Sequence, residues 1–407
     1  MTPPESSAPA VPLPAAVAAP PAARVRPDMR LLGLLALGHM VIDINQGSLA
    51  AVLPFLKDAL KISYTATGVI VLMANITSSL IQPLFGYLAD KTARRWILPL
   101  SVLLSSLGLG FLGLAPSYWA VLALVMVTGF GVASYHPEGY RTATAVAGDR
   151  KATGVSIFST GGNIGIALGP PLATALLTGF GMPGTLGLLV PGVVVALLLT
   201  AVLPGLSAPA PAVARAQASA SGAQTMVGAM SLLILVVAIR SWTTLGFTTF
   251  MPFYWKEVLH GDPRHVGTLL AVFLGAGAVG TLAAGPVADR VGVRRYVVAV
   301  FLLATPLAVG FLFVQGWLVY VLLGLLGFVL VSTFTVSVVL GQAYLPRNPG
   351  LASGLIVGFA IGAGGLGASA LGWVADHWGL ASALWISALM PLAGFVTALF
   401  LPEPRSR

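Results

Sequence analysis

Gly86-Tyr87-Leu88-Ala89-Asp90-Lys91-Thr92-Ala93-Arg94-Arg95 is a polar block between two long apolar runs, and the chain repeats it. Gly285-Pro286-Val287-Ala288-Asp289-Arg290, 199 residues on, again leads into an arginine pair, Arg294-Arg295. A second echo keeps nearly the same offset. Ala152-Thr153-Gly154 opens one apolar run, and Ala352-Ser353-Gly354, 200 residues on, opens another. A constant spacing at two separate places marks a duplicated unit. Two copies in the same orientation imply two structural halves related by an axis along a membrane normal.

The runs around these blocks are long enough for that membrane. A helix needs roughly 20 apolar residues to cross the hydrocarbon core. Twelve stretches qualify: 30–54, 64–88, 96–115, 117–137, 152–179, 184–204, 228–254, 265–288, 295–314, 317–340, 351–374 and 380–401. In lipid each backbone amide must be paired within its own segment, so each stretch is expected to be a closed helix. The composition agrees: 57% of the residues are hydrophobic and 8% charged, with mean hydropathy +0.94. Soluble domains carry about 25% charged residues, and so few charges could not cover a soluble surface. The expected fold class is all-α integral membrane, with twelve transmembrane helices in two six-helix pseudo-symmetric halves.

The net charge of +9 does not point to nucleic acid, because the bases sit in short clusters between apolar runs. That pattern suits contact with anionic membrane lipid. Of the twenty-one Lys and Arg, Lys57, Lys61, Lys256 and Arg264 fall on one side of the bundle and Arg240 within a span; the rest fall on the side of the termini. Positive residues stay inside, so both termini are expected in the cytoplasm of a cell (inner or plasma) membrane protein. The expected domains are a disordered Pro- and Ala-rich tail at 1–28, a first half at 29–204, a linker at 205–227, a second half at 228–402 and a short tail at 403–407. Residues 1–28 lack the early basic stretch and compact apolar core of a secretory leader, and the first apolar run, from near Arg30, is expected to stay uncleaved. Cysteine is absent and the five histidines are far apart in sequence, so no metal site and no cofactor is expected.

The repeated block, G-x-x-x-D-[RK] leading to R-R, resembles the loop signature of the major facilitator superfamily. Copy one has Ala93 where that signature has Gly; copy two keeps Gly292 but has Val293 in place of an Arg. The resemblance covers residues 30–402. A narrower one is to the fosmidomycin resistance protein family of efflux transporters. It rests on Gly38-His39, Asp43 and Gln46-Gly47, and on Gln82-Pro83-Leu84-Phe85-Gly86 and Tyr135-His136-Pro137-Glu138. Gly161-Gly162, Gly165, Gly169-Pro170 and Arg240-Ser241 complete it. These resemblances imply the major facilitator fold and drug export coupled to protons.

Charges buried in lipid cost roughly 2.5–3.5 kcal/mol each at a helix centre, so those present are candidates for function. Asp43 lies near the middle of span one, with His39 one turn before it and Gln46 three residues after, all on one helix face. Asp43 and His39 form a candidate proton site or a fixed cluster holding span one to a neighbour. Arg240, near the middle of span seven, keeps its charge and must meet a carboxylate, a substrate anion or water. By the resemblance, spans one and seven face each other across a central cavity. Arg240 and Asp43 are then expected to be alternative partners: paired in one state, and in the other with Arg240 free for an anionic substrate. The bland alternative is a permanent salt bridge. Gln46, Asn75 and Asn163, with Gln82, Thr243 and Thr244, are candidates to line the substrate cavity or to make plain interhelical contacts.

His136, Glu138 and Arg141 end span four, where Pro137 is expected to disrupt the helix. They form a gate, with Glu138 on Arg141, or an interfacial cap. The blocks Gly86, Asp90, Arg94, Arg95 and Gly285, Asp289, Arg290 are expected to latch the cytoplasmic ends together in the outward-facing state. Gly161, Gly165, Gly169 and Pro170 allow tight helix packing, and spans five and eleven are expected to slide against the other half. Tyr254, Trp255 and Trp385 are expected in the interfacial aromatic belt. No phosphate-cradling loop with its Lys is present, which argues against ATP coupling. The expected protein is a monomeric, non-enzymatic, proton-coupled exporter of a small drug-like or anionic compound. Proton-coupled uptake of a small organic anion, or a non-transporting receptor or scaffold, are the alternatives.

Overall fold

The computed structural model describes residues 27–85, 95–148, 150–202, 226–345, 352 and 355–403. All regular structure among the described residues is helical, and it forms twelve long elements. The first half contains α1 (Met29–Leu60), α2 (Tyr64–Phe85), α3 (Ile97–Leu114), α4 (Tyr118–Val146), α5 (Lys151–Phe180) and α6 (Met182–Val202). The second contains α7 (Val227–Glu257), α8 (Pro263–Val291), α9 (Val293–Phe311), α10 (Leu318–Tyr344), α11 (Ala360–Trp378) and α12 (Leu380–Leu399). Ten of these are long and apolar enough to cross a membrane; α1 and α11 are not among them. In α1 the cause is visible, since His39, Asp43, Asn45 and Gln46 crowd its middle.

Local chemistry sets the ends. Asp28 caps α1 by accepting from the amides of Arg30 and Leu31 at 3.1 and 3.0 Å. Ser63 and Ser117 do the same for α2 and α4 through Ala66 and Ala120. Side-chain acceptors at these positions satisfy amides that the first turn leaves free. Gly181, Gly292 and Gly379 turn the chain between α5 and α6, α8 and α9, and α11 and α12, with φ of 66°, 92° and 86°. A side chain would be strained there.

The duplication is visible in the packing. α1 lies on α5 as α7 lies on α11, and α3 lies on α4 as α9 lies on α10. The halves meet along two seams, α2 against α11 and α5 against α8. Both α2 and α11 loosen into a π turn, Ile76–Leu80 and Leu355–Phe359, and these two turns touch.

Three expectations need correction. Span four does not end at Pro137: α4 runs on to Val146, whose carbonyl accepts from the Asp28 amide at 3.0 Å and is held against the start of α1. Proline removes one rung of the ladder without stopping the helix. The glycine stripe of α5 packs within its own half rather than on the other. A Cβ at Gly161, Gly165 or Gly169 would collide with the carbonyl of Ala36, Met40 or Ile44, all on α1 of the same half. Tyr254 and Trp255 are not belt residues. Both are buried, and the Trp255 indole donates to the Asp262 carbonyl at 2.9 Å. Residues 1–26, most of the linker, the end of the tail, and Gly86, Asp90 and Arg94 lie outside the described residues.

Candidate functional site

Four residues make one turn of α1, so His39 and Asp43 share a face. His39 Nε2 is 3.4 Å from Asp43 Oδ2. His136, 93 residues on in sequence, arrives from α4 with its Nε2 3.4 Å from Asp43 Oδ1. His39 Nδ1 lies 2.8 Å from the Phe158 carbonyl of α5. A carbonyl only accepts, so that nitrogen carries hydrogen. The His39 ring stacks on Phe158 at 4.2 Å and meets His136 edge-on at 4.9 Å. The side chains of Asp43 and His136 keep 13% and 15% exposure, while Asp43 Oδ1 itself is buried and makes no hydrogen bond. One ring nitrogen from each histidine and one Asp43 oxygen lie within 4.8 Å of one another, close enough to hold a metal ion. Distance in sequence was therefore no guide to the histidines.

The expected Asp43–Arg240 pair is absent from this structure. Asp43 is engaged by two imidazoles of its own half. Arg240, on α7, is buried and has no carboxylate partner among the described residues. Its Nη2 donates to Ser241 Oγ at 3.4 Å, its Cζ lies 5.3 Å from the Phe334 ring centre, and its Nε has no partner. His136 is likewise corrected from gate to cluster. Glu138 does pair with Arg141, whose Nε donates to Oε2 at 3.2 Å.

Between the halves lies a cavity of about 160 Å³. Asn45, Gln46, Asn75, Ser78 and Thr128 line it from the first half, Thr244, Thr248 and Thr249 from the second. Thr244 sits one turn beyond Arg240 and donates to its carbonyl at 3.0 Å. The expected Gln46, Asn75 and Thr244 thus meet there. Asn163 is exposed on α5 and not among the lining residues, and Thr243 is buried against the Ile239 carbonyl. Asn45 was missed by sequence reasoning. Its amide nitrogen donates to Ser106 Oγ at 2.8 Å, while its buried Oδ1 lacks a partner.

All the ion pairs that join the halves among the described residues lie at the face opposite the termini. Lys57 meets Glu257 at 3.6 Å, and Lys256 meets Asp58. Lys57-Asp58 and Lys256-Glu257 are themselves 199 residues apart, so each copy of the repeat lends a cation and an anion to the other. Tyr64 hydrogen-bonds Glu257 and lies under Lys57 at 4.4 Å. Asp376 of α11 accepts from the amides of Tyr64 and Thr65, both at 2.8 Å, and so caps α2 from across the seam. At the other face Gly285, Asp289 and Arg290 are exposed, and Asp289 and Arg290 make no ion pair among the described residues. Arg294 donates to the Leu399 carbonyl at 2.7 Å, at the end of α12. Among the described residues, ion pairs join the two halves only at the face opposite the termini.

The chain matches the model of the Major Facilitator Superfamily over residues 35–264 and 232–407. It is 33% identical to the fosmidomycin resistance protein of Escherichia coli (strain K12), covering 97% of this chain and 98% of that protein. It is 32% identical to the uncharacterized MFS-type transporter YfnC of Bacillus subtilis (strain 168), covering 94% of each. Among solved structures, the fold matches the nucleoside transporter NupG with TM-score 0.72 at 15% identity, covering 92% of this chain and 99% of that one. It also matches a bacterial homologue of the human lysosomal transporter Spinster, inward-facing and occupied, with TM-score 0.70 at 17% identity, covering 92% and 94%. Twelve helices in two repeated halves, a cavity between them and these likenesses place the chain in the Major Facilitator Superfamily, as a membrane transporter and not an enzyme.

Proposed function

We propose that the protein is a proton-coupled exporter of a small anionic compound, working by alternating access. The observation that carries the reading is a pair of unlike groups, each about one helical turn from a residue that lines the cavity: Asp43 from Gln46 and Arg240 from Thr244. The first half holds a carboxylate between two imidazoles; the second holds a buried guanidinium with no counter-ion among the described residues. A buried cation without a partner is costly, and an anion is what it lacks. Its planar fork suits a phosphonate or carboxylate. Gln46 and Asn75 lie in the cavity that such a substrate would occupy, whereas Asn163 does not line it. The revised mechanism keeps the two charges apart. Protons act at Asp43 and His39, substrate at Arg240, and the two are coupled through the rocking of the halves rather than by a swap of partners.

The asymmetry of Lys and Arg supports a cytoplasmic position for both termini in the cell membrane, so the cross-half ion pairs close the outside and the conformation faces inward. The exposed Gly285, Asp289 and Arg290 fit a latch that engages only when the molecule faces outward, with Gly86, Asp90, Arg94 and Arg95 as its counterpart. One chain supplies both halves of the cavity, which supports a functional monomer; 29–204 and 228–402 are the units that rock, joined by 205–227.

Fosmidomycin is the first probe, since a relative is named for resistance to it. Expression in a sensitised host should lower intracellular fosmidomycin, and an uncoupler should abolish the effect. Gradient-driven accumulation would instead mean uptake. Export that survives the uncoupler would remove the proton from the mechanism.

A further inference from the structure

His39 Nε2 stands 3.4 Å from Asp43 Oδ2, and His136 Nε2 stands 3.4 Å from Asp43 Oδ1. Both separations exceed the usual reach of an N–H···O hydrogen bond, about 2.7–3.2 Å. Oδ1 is buried and makes none. The separations match a different spacing. Ligands about 2.0–2.1 Å from a tetrahedral metal ion lie about 3.3–3.4 Å from one another. One nitrogen from each ring and one carboxylate oxygen all lie within 4.8 Å, so the widest separation has at most about 1.5 Å to close.

The surroundings prepare the three groups. The Phe158 carbonyl, 2.8 Å from His39 Nδ1, places hydrogen on that nitrogen and leaves the Nε2 lone pair of the neutral ring as the ligand. A carbonyl behind a ligating imidazole fixes its tautomer and ring plane, the outer support that metal sites ordinarily have. A Cβ at Gly162 of α5 would lie 2.5 Å from His39 Nε2 and 2.6 Å from Asp43 Oδ2. The glycine therefore leaves open the place where the ligand atoms converge. α4, which brings His136, is tied to α1. Tyr135 donates to the Leu35 carbonyl at 2.7 Å, and the Asp28 amide donates to the Val146 carbonyl at 3.0 Å. Two fixed helices thus carry the ligands. The His136 ring, with no hydrogen bond among the described residues, is the part that adjusts.

We infer that His39, Asp43 and His136 bind one divalent d-block cation, such as Zn2+, through two imidazoles and one carboxylate. Two nitrogens and an oxygen suit such ions better than Mg2+ or Ca2+, which take oxygen ligands. Three protein ligands leave a fourth position for water or an anion. An ion there joins α1 to α4 and occupies the side chains that the proposed cycle gives to protons, so it should stop export. That consequence rests on the proton-coupled reading above; the binding itself does not.

The test is titration of the full, untagged chain with Zn2+ in lipid nanodiscs, read by calorimetry and by thermal unfolding. His260, His265 and His377 are first changed to Gln, which leaves His39 and His136 as the chain's only histidines. One equivalent of Zn2+ should bind and raise the unfolding midpoint, because the ion binds the folded chain alone. Co2+ in its place should give the visible absorption of a four- or five-coordinate site, and Mg2+ should do neither. His136→Gln should weaken Zn2+ binding by more than about tenfold and remove the Co2+ bands, with the metal-free midpoint kept. Gly162→Ala should weaken it as well. No saturable binding in the parent, or binding unchanged by His136→Gln, overturns the inference. Saturating Zn2+ with fosmidomycin export undiminished would count against protons at this cluster and leave the metal site standing.

Discussion

In the proposed function, Arg240 is the residue that selects for an anionic substrate. It is buried on α7, its Nε is unpartnered, and its one side-chain acceptor is a neighbouring serine at 3.4 Å. Arg240→Lys keeps the charge and loses the fork. A hydrogen bond to a charged group contributes about 1.5–3 kcal/mol, so the apparent KM for an anionic probe should rise roughly ten- to hundredfold. Uncharged probes should be unaffected, and efflux kinetics with matched acid and ester probes would show it. Equal loss for both would assign Arg240 to packing. The importance of this residue was legible in the sequence, because an arginine in the middle of an apolar run needs a reason. Its pairing was not. Asp43 found its partner in His136, and no spacing along the chain announces a meeting between α1 and α4. The neighbours of His136 in sequence, Glu138 and Arg141, pair with each other instead.

Among the helices, glycines divide into two kinds that substitution can separate. At Gly165 a Cβ would collide with the Met40 carbonyl on α1, whereas at Gly285 a Cβ would meet nothing within 4 Å. Overfilling a packed contact costs about 1–3 kcal/mol, so Gly165→Ala should lower the thermal unfolding midpoint in detergent. Gly285→Ala should leave that midpoint unchanged and so report on the latch alone. Reduced transport in Gly285→Ala with full stability would support a latch; unchanged transport would remove Gly285 from it. The existence and order of the helices were readable from apolar runs about 20 residues long. Their ends were not, for a physical reason. α1 and α7 continue past the lipid to Leu60 and Glu257, where charged residues end the hydropathy signal without ending the helix. α4 passes through Pro137 because packing against α1 outweighs one lost amide bond.

At the scale of the whole molecule, the conformation is set by Lys57 with Glu257, Lys256 with Asp58, and Asp376 at the start of α2. The reciprocal charges were present in the sequence at the offset of the repeat, but only the fold shows that they cross. Exposed pairs contribute up to about 1 kcal/mol each, so Lys57→Glu should raise the outward-open population by roughly fivefold. The chain has no cysteine of its own, so a single Thr248→Cys in the cavity can be labelled without background. Labelling by a membrane-impermeant thiol reagent should rise in Lys57→Glu and return to the starting level when Glu257→Lys is added. If the double variant stays open, the pair is not the closure. The reciprocity has an electrical consequence. Two cations and two anions part together, so separating them moves no net charge. A membrane potential does about 2.3 kcal/mol of work per elementary charge per 100 mV. A neutral quartet takes none of it. Voltage should leave the opening of this face untouched and act, in the proposed cycle, on the proton and the anionic substrate.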